Sequence, residues 1–233
     1  MNKSGERNKN STFDSLRGRL PVTVTQISPQ KNNPQRVSLF HNGEFLLGVD
    51  QQTCLECRIS LGSELTGLLL ERVETLEGYH SAKAKAFDYL SRRDHASGEV
   101  RSKLLKKGFS TEVTDQVIES LTQKKYLDDS GFAEKYAEEK SRLNRWGSRK
   151  IESELLKKGV PPDIVRKGME AALSGLPEEE ICLDLILKRK EYFLRELNPV
   201  KRKQKIFRYL STRGFSASQI SRAVQKFDQE IDV

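Results

Sequence analysis

From about residue 82 onward, apolar residues recur at the spacing of an amphipathic helix, and the pattern comes three times. Glu99 to Phe109 reads EVRSKLLKKGF, Lys150 to Val160 reads KIESELLKKGV, and Lys205 to Phe215 reads KIFRYLSTRGF. Each copy sets an apolar pair four residues apart on one face: Val100 and Leu104, Ile151 and Leu155, Ile206 and Leu210. Each then meets a glycine, at 108, 159 and 214, so the copies are spaced by 51 and 55 residues. Such a glycine supplies the left-handed backbone that stops a helix. The apolar residue after it (Phe109, Val160, Phe215) suits the hydrophobic contact made just past the stop. A new helix is predicted beyond each corner. Ser216 with Gln219 matches a capping box, Ser110 is an N-cap, and Pro161-Pro162-Asp163 is a proline-led start.

A further helix precedes each copy: about 82 to 92, about 131 to 143 capped by Asp128-Asp129-Ser130, and about 177 to 197. The chain therefore reads as mainly α, with three tandem three-helix repeats over 81–130, 131–176 and 177–233. One such unit has a thin core, and stacked neighbours share one, so an elongated, curved array is expected.

Ahead of the repeats lies the β-like stretch. VTVTQIS nearly alternates Val22, Val24 and Ile27, and RVSLFHNGEFLLGVD carries Asn42-Gly43 between two strand-forming runs. That dipeptide is a strong hairpin signal. A small N-terminal β-hairpin or sheet of two or three strands is predicted over 22–50. Residues 51–80 follow as a short helix, a turn at Gly62 and a second helix carrying Leu65, Leu68, Leu69 and Val73, completing a segment from 21 to 80. Residues 1–20 are expected to be a flexible basic tail, with five basic and two acidic residues.

Composition supports helical modules. Of 233 residues, 36% are hydrophobic and 32% charged, which suits small units with broad solvated faces better than one large core. The aromatic share of 7% argues against an all-β fold. No apolar run reaches the ~18 residues needed to cross a bilayer, and the start lacks a signal-peptide core. A cytoplasmic monomer with no membrane partner is expected. Three cysteines do not make a secreted disulfide framework.

The formal net charge is +8, and residues 181–233 hold +6 of it, from 12 basic and 6 acidic residues. The 63–80 stretch nets −3. Acids belong at helix N-termini, as Glu178, Glu179 and Glu180 do. Two helices break this rule. One opens with Lys201, Arg202, Lys203 and Lys205 after Pro199, and the other with Arg149 and Lys150 after Gly147-Ser148. Cations beside helix N–H groups form an anion-binding surface, so these two places are candidate contacts for phosphate or an acidic protein surface. The bland alternative is solvated charge. Arg208 and Arg213 extend the first group. Arg142, Arg145, Trp146, Arg149 and Lys150 surround the single tryptophan, which either serves an interface and base stacking or plugs the core between repeats. Lys106, Lys107, Lys157, Lys158 and Arg213 lie at helix C-termini, where the dipole favours cations.

Enzyme chemistry finds no support. There is no P-loop, G-x-G-x-x-G, H-E-x-x-H or G-x-S-x-G. Cys54 and Cys57 form a lone C-x-x-C far from Cys182, and His41, His80 and His95 are scattered, so neither metal nor cofactor is expected.

The stretch YLDDSGFAEKYAEEKSRLNRWGSRKIESELLKKGV, Tyr126 to Val160, resembles the signature of the RecX regulatory proteins. AFDYLSRRDHASGEVRSKLLKKGF, Ala86 to Phe109, is similar to the first repeat of that family, and HNGEFLLGVD to the β-containing segment of its longer members. The resemblance covers roughly residues 22 to 230. It implies a non-enzymatic modulator that binds the RecA–DNA filament, commonly in its helical groove, and inhibits its ATPase, strand exchange and SOS co-protease activity. Single-stranded or duplex DNA would meet the basic surface. The competing reading is a helix-turn-helix DNA-binding protein. Against it, the helix after Phe109 reads STEVTDQVIESL and is acidic rather than rich in base-reading side chains.

Overall fold

The computed structural model describes residues 12–231. Its backbone packing divides into two compact units, residues 12–92 with 103–120, and residues 93–102 with 121–231.

In the first unit the alternating N-terminal stretch builds two sheets. Strands β1 (Val22–Thr23) and β5 (Glu64–Leu65) pair with each other, while β2 (Gln26–Gln30), β3 (Asn33–His41) and β4 (Glu44–Asp50) form an antiparallel sheet in the order β2-β3-β4. The expected hairpin turn is present, with Asn42 and Gly43 at φ +48° and +81°. Two positive φ values in a two-residue loop match the strand twist, which is why Asn-Gly occupies it. The register jumps from Leu39↔Leu47 to Phe40↔Phe45, so Leu46 is the extra residue of a bulge. The bulge explains how Leu46 and Leu47, neighbours on one strand, are both buried.

Three expectations for this segment need correction. Part of the predicted tail is helical: residues 12–17 form a helix, α1, and bury Phe13 and Leu16, three residues apart on one face, in the N-terminal core. Residues 1–11 of that tail lie outside the described residues. Leu65 sits in β5 rather than on a helix, and Leu68 is exposed. Finally, the helices expected before and after residue 80 are one helix. After α2 (Gln51–Glu56), α3 runs unbroken over Gly67–Leu90. The Ser81-Ala82-Lys83-Ala84 junction contains neither Pro nor Gly, so nothing stops it. The near half of α3 docks on the sheets through Leu70 and Val73. It also buries Glu77, which meets Arg36 of β3 at 2.8 Å and accepts hydrogen bonds from the Asp50 N–H and the Thr53 hydroxyl.

The remaining helices are α4 (Ser97–Lys106), α5 (Thr111–Gln123), α6 (Asp129–Arg142), α7 (Ser148–Lys157), α8 (Pro162–Leu173), α9 (Glu178–Leu187), α10 (Lys190–Leu194), α11 (Pro199–Ser211) and α12 (Ala217–Ile231). The three corners are built alike. Gly108, Gly159 and Gly214 have φ +92°, +79° and +91°. In each, the following residue donates its N–H five residues back: Phe109 to Leu104, Val160 to Leu155, Phe215 to Leu210. That is the Schellman stop. The caps predicted from Ser110, Asp128 and the Ser216–Gln219 pair are all formed.

In the second unit, α6, α7 and α8 enclose one core of Ala133, Ala137, Ile151, Leu155, Val160 and Val165. Gly168 lets α8 lie directly on Ala133 of α6, where a side chain would collide. A separate core joins Ile181, Ile186, Phe193, Ile206, Phe215 and Phe227 from α9 to α12. The long helix expected over 177–197 is broken at Lys188 and Arg189 into α9 and α10. The break turns fully buried Phe193 into that core.

The Arg36–Glu77 pair predicts a large effect. Arg36→Ala leaves a buried, unpaired carboxylate and should cost about 3 kcal/mol or more. Chemical denaturation of the full chain measures this, and a loss within about 0.5 kcal/mol, the range of ordinary surface substitutions, would contradict it.

Candidate partner-binding face at the helical joints

Two joints within the second unit use the same parts. At the first, Ser97 and Gly98 open α4 against the Gly159 corner. A Cβ on Gly98 would lie 2.6 Å from the Gly159 Cα, so the contact is backbone on backbone. Asp129, in the first turn of α6, accepts the Ser97 N–H at 2.7 Å and its hydroxyl at 2.5 Å. At the second, Gly147 and Ser148 open α7 against the Gly214 corner, and a Cβ on Gly147 would meet the Gly214 carbonyl at 2.5 Å. Glu178, in the first turn of α9, accepts the Ser148 N–H at 2.8 Å and its hydroxyl at 3.4 Å. The Gly147 and Arg149 N–H groups donate to the carbonyls of Arg213 and Gly214 at 2.8 and 3.1 Å.

This geometry changes the anion-site reading. The start of α7 has no free pair of N–H donors, because Glu178 and Gly214 already take them. The start of α11 is filled as well, since the Asn198 side chain accepts from the Val200 and Lys201 N–H groups. Two of the misplaced cations are answered by carboxylates instead. Lys203 pairs with Asp228 at 2.9 Å and Lys205 with Glu196 at 2.6 Å. The Lys205 hydrogen bond holds the Glu196 carboxyl below its usual range. Arg202 is partly buried, with its Nε unpartnered, while Lys201 and Arg208 are exposed.

The second joint gathers residues from both candidate groups. Arg213 donates to the Asn144 carbonyl at 3.2 Å, which brings the end of α11 onto the loop before α7. Arg145 occupies that loop with φ +52°, a conformation that costs a side chain roughly 1–2 kcal/mol. Trp146 is half-buried. It packs on the α6–α8 core and carries the Lys150 ammonium 4.2 Å from its ring. Arg149, in the first turn of α7, is exposed. Sequence reasoning missed two members, Arg189 and Tyr209. Both guanidinium groups, of Arg189 and Arg213, stand over the Tyr209 ring at 4.6 and 4.9 Å. Only the fold could reveal this stack, because the break after α9 is what places Arg189 there. Arg142 stands apart and pairs with Glu138 at 2.8 Å. Lys201 is 10 residues from Ser211, where α11 ends beside Arg213, about 15 Å at ~1.5 Å per residue, so the lysine-rich end is a separate basic strip.

The cysteines are buried thiols. Burial pushes Cys54 up to about 11 and Cys182 up to about 12, so neither supplies a thiolate at neutral pH. Among the described residues no group of three His, Cys, Asp or Glu side chains is placed to hold a metal, and no helix is long and apolar enough to cross a membrane.

Comparison with known proteins places this architecture. The regulatory protein RecX N-terminal domain matches residues 22–66, and the first, second and third RecX three-helix domains match 82–121, 128–169 and 177–224. A regulatory protein RecX of Leuconostoc mesenteroides is 30% identical over 217 residues, 90% of this chain and 79% of that protein. The chain belongs to the RecX family. RecX proteins of Bacillus licheniformis and Clostridium tetani are 29% and 26% identical over 212 and 203 residues, covering 90% and 87% of this chain and 79% and 93% of theirs. A crystal structure of regulatory protein RecX shares the fold with a TM-score of 0.73 at 21% identity, over 87% of this chain and 98% of that one. RecX from Lactobacillus salivarius does so at 0.59 and 22%, over 66% of this chain and 99% of that one. In RecX terms, the first joint links the first and second three-helix domains, and the second joint links the second and third.

Two outcomes follow from the joints. Gly108→Ala meets only open space and should cost the backbone strain, roughly 1–2 kcal/mol, whereas Gly214→Ala also drives a methyl into Lys150 and should cost clearly more. Equal losses in parallel denaturation series would argue against close backbone approach. The second concerns Glu99. Burial alone would raise its carboxyl, but hydrogen bonds and charge from Arg93 and Lys158 outweigh this and hold it at about 2, against an ordinary 4.5. A carboxyl depressed in the folded chain stabilises it above the unfolded value and loses that effect as pH falls. About 3 kcal/mol should therefore be lost between pH 4.5 and 2, and Glu99→Gln should flatten this limb of a stability–pH profile.

Proposed function

We propose that this RecX chain binds the RecA–DNA filament and lowers its ATPase, strand exchange and stimulated repressor cleavage, without chemistry of its own. Membership of a family of regulatory proteins supports the regulatory role. The observation that carries the contact is the second joint, where the segment holding Arg145, Trp146, Arg149 and Lys150 meets Arg213 of the next helical domain. Cations around a half-buried indole suit an acidic protein surface or the phosphates of filament DNA. Lys201, Arg202, Lys203, Lys205 and Arg208 supply a second strip on α11. The helix-turn-helix alternative is weaker, because α5 presents Glu112, Asp115 and Glu119 where a recognition helix needs base-reading donors.

The test is titration into a RecA–single-stranded-DNA ATPase assay, with naked DNA as the binding control. ATPase should fall with increasing protein, and Arg149→Glu should raise the half-maximal concentration several-fold with helicity unchanged. No response at any ratio would refute filament regulation, and an unaltered Arg149→Glu titration would remove the second joint from the contact.

A further inference from the structure

A second aromatic and cationic feature lies in the second unit, beside the second joint: its Lys140 ammonium also stands 6.0 Å from the Trp146 ring. On α6, Phe132 and Tyr136 sit one turn apart, and their rings stack with centroids 5.8 Å apart and planes 22° from parallel. Both rings are half-buried: they rest on the α6–α8 core and line a cavity of about 510 Å³. Cations enter from three parts of the chain. Arg93 precedes α4, Lys135 and Lys140 project from α6, and Lys158 follows α7. The Lys140 and Lys158 ammonium groups stand 5.2 and 5.4 Å from the Tyr136 centroid.

Three carboxylates answer these four cations. Glu99 holds Arg93 and Lys158 at the base, at 3.1 and 3.0 Å. The outer pairs, Lys135 with Asp94 at 3.4 Å and Lys140 with Glu139 at 2.6 Å, include exposed partners. Lys135 and Asp94 are 76% and 73% exposed, and such pairs exchange partners at little cost. The cavity thus offers a flat aromatic wall, fixed charge at its base and exchangeable ammonium groups at its rim. A planar base with an attached phosphate matches all three, through stacking on the rings and charge-assisted hydrogen bonds at the rim.

We propose that this cavity binds a nucleotide unit, its base against Tyr136 and Phe132 and its phosphate on Lys135 and Lys140. A free nucleotide and a residue of a single strand share that chemistry. The proposal does not rest on filament regulation, because its test needs no recombinase.

The test is fluorescence anisotropy of a labelled oligothymidylate with the full chain, followed by competition with AMP and with inorganic tripolyphosphate. A strand carrying 5-iodouracil is then photo-crosslinked and the adduct mapped. Tyr136→Leu should weaken strand binding roughly ten-fold, and Lys135→Glu several-fold, with crosslinks on residues 132–140. Displacement by AMP identifies a free nucleotide as a ligand, and binding of the strand alone identifies single-stranded nucleic acid. Lys135 is exposed enough to be reversed without unfolding the chain, and Phe132→Leu repeats the ring test if Tyr136→Leu fails to fold. Unchanged affinity in these variants, crosslinks confined to 144–150, or displacement by tripolyphosphate as effective as by AMP would overturn the proposal.

Discussion

The second unit depends on peptide backbones approaching more closely than side chains permit. At each joint the start of one helix lies on the glycine corner of the next domain, and the spacing leaves no room for a Cβ at Gly98, Gly147 or Gly214. Close approach exposes the helix start to an unsatisfied-donor penalty, since the first N–H groups of a helix have no partner within it. Asp129 and Glu178 remove that penalty from the neighbouring domain. The seam is therefore packed and hydrogen-bonded by the same few residues, and neither element works without the other.

The joints also sort the charges. Asp129, Glu178 and Glu99 face inward, onto hydroxyl, N–H and cationic partners of their own unit. Acidic groups committed in this way do not screen the basic side chains on the surrounding surface. At the second joint Lys150 stands over Trp146 and Arg213 reaches the Asn144 carbonyl, whereas Lys203 and Lys205 on α11 meet Asp228 and Glu196. Counting cations along the chain ranks the α11 group highest, but three-dimensional neutralisation ranks the joint above it.

Features encoded by adjacent residues were legible in the sequence. A glycine flanked by apolar positions at 108, 159 and 214 is enough to specify a helix stop, and Asn42-Gly43 is enough to specify a hairpin. Ser110 and the Ser216–Gln219 pair cap their helices as local rules require. What was not legible depends on partners far along the chain. The second roles of Asp129 and Glu178 lie across contacts spanning 32 and 30 residues. The Arg189–Tyr209–Arg213 stack depends on a helix break that no Pro or Gly announces. The continuity of α3 was hidden for the opposite reason: the onset of the repeat pattern near residue 82 suggested a boundary where the backbone has none. The RecX resemblance rested on the second repeat, whose Gly-Ser start and Lys-Gly stop are the pieces that form joints on both of its sides.

Trp146 gives the second joint an optical property. It is the chain's one indole, and it sits half-buried with an ammonium 4.2 Å from its ring. A nearby positive charge shifts indole emission, and a change in solvent access shifts it again. The protein therefore carries a built-in chromophore at the seam between its last two helical domains, and its colour records whether that seam is dry, wetted or covered.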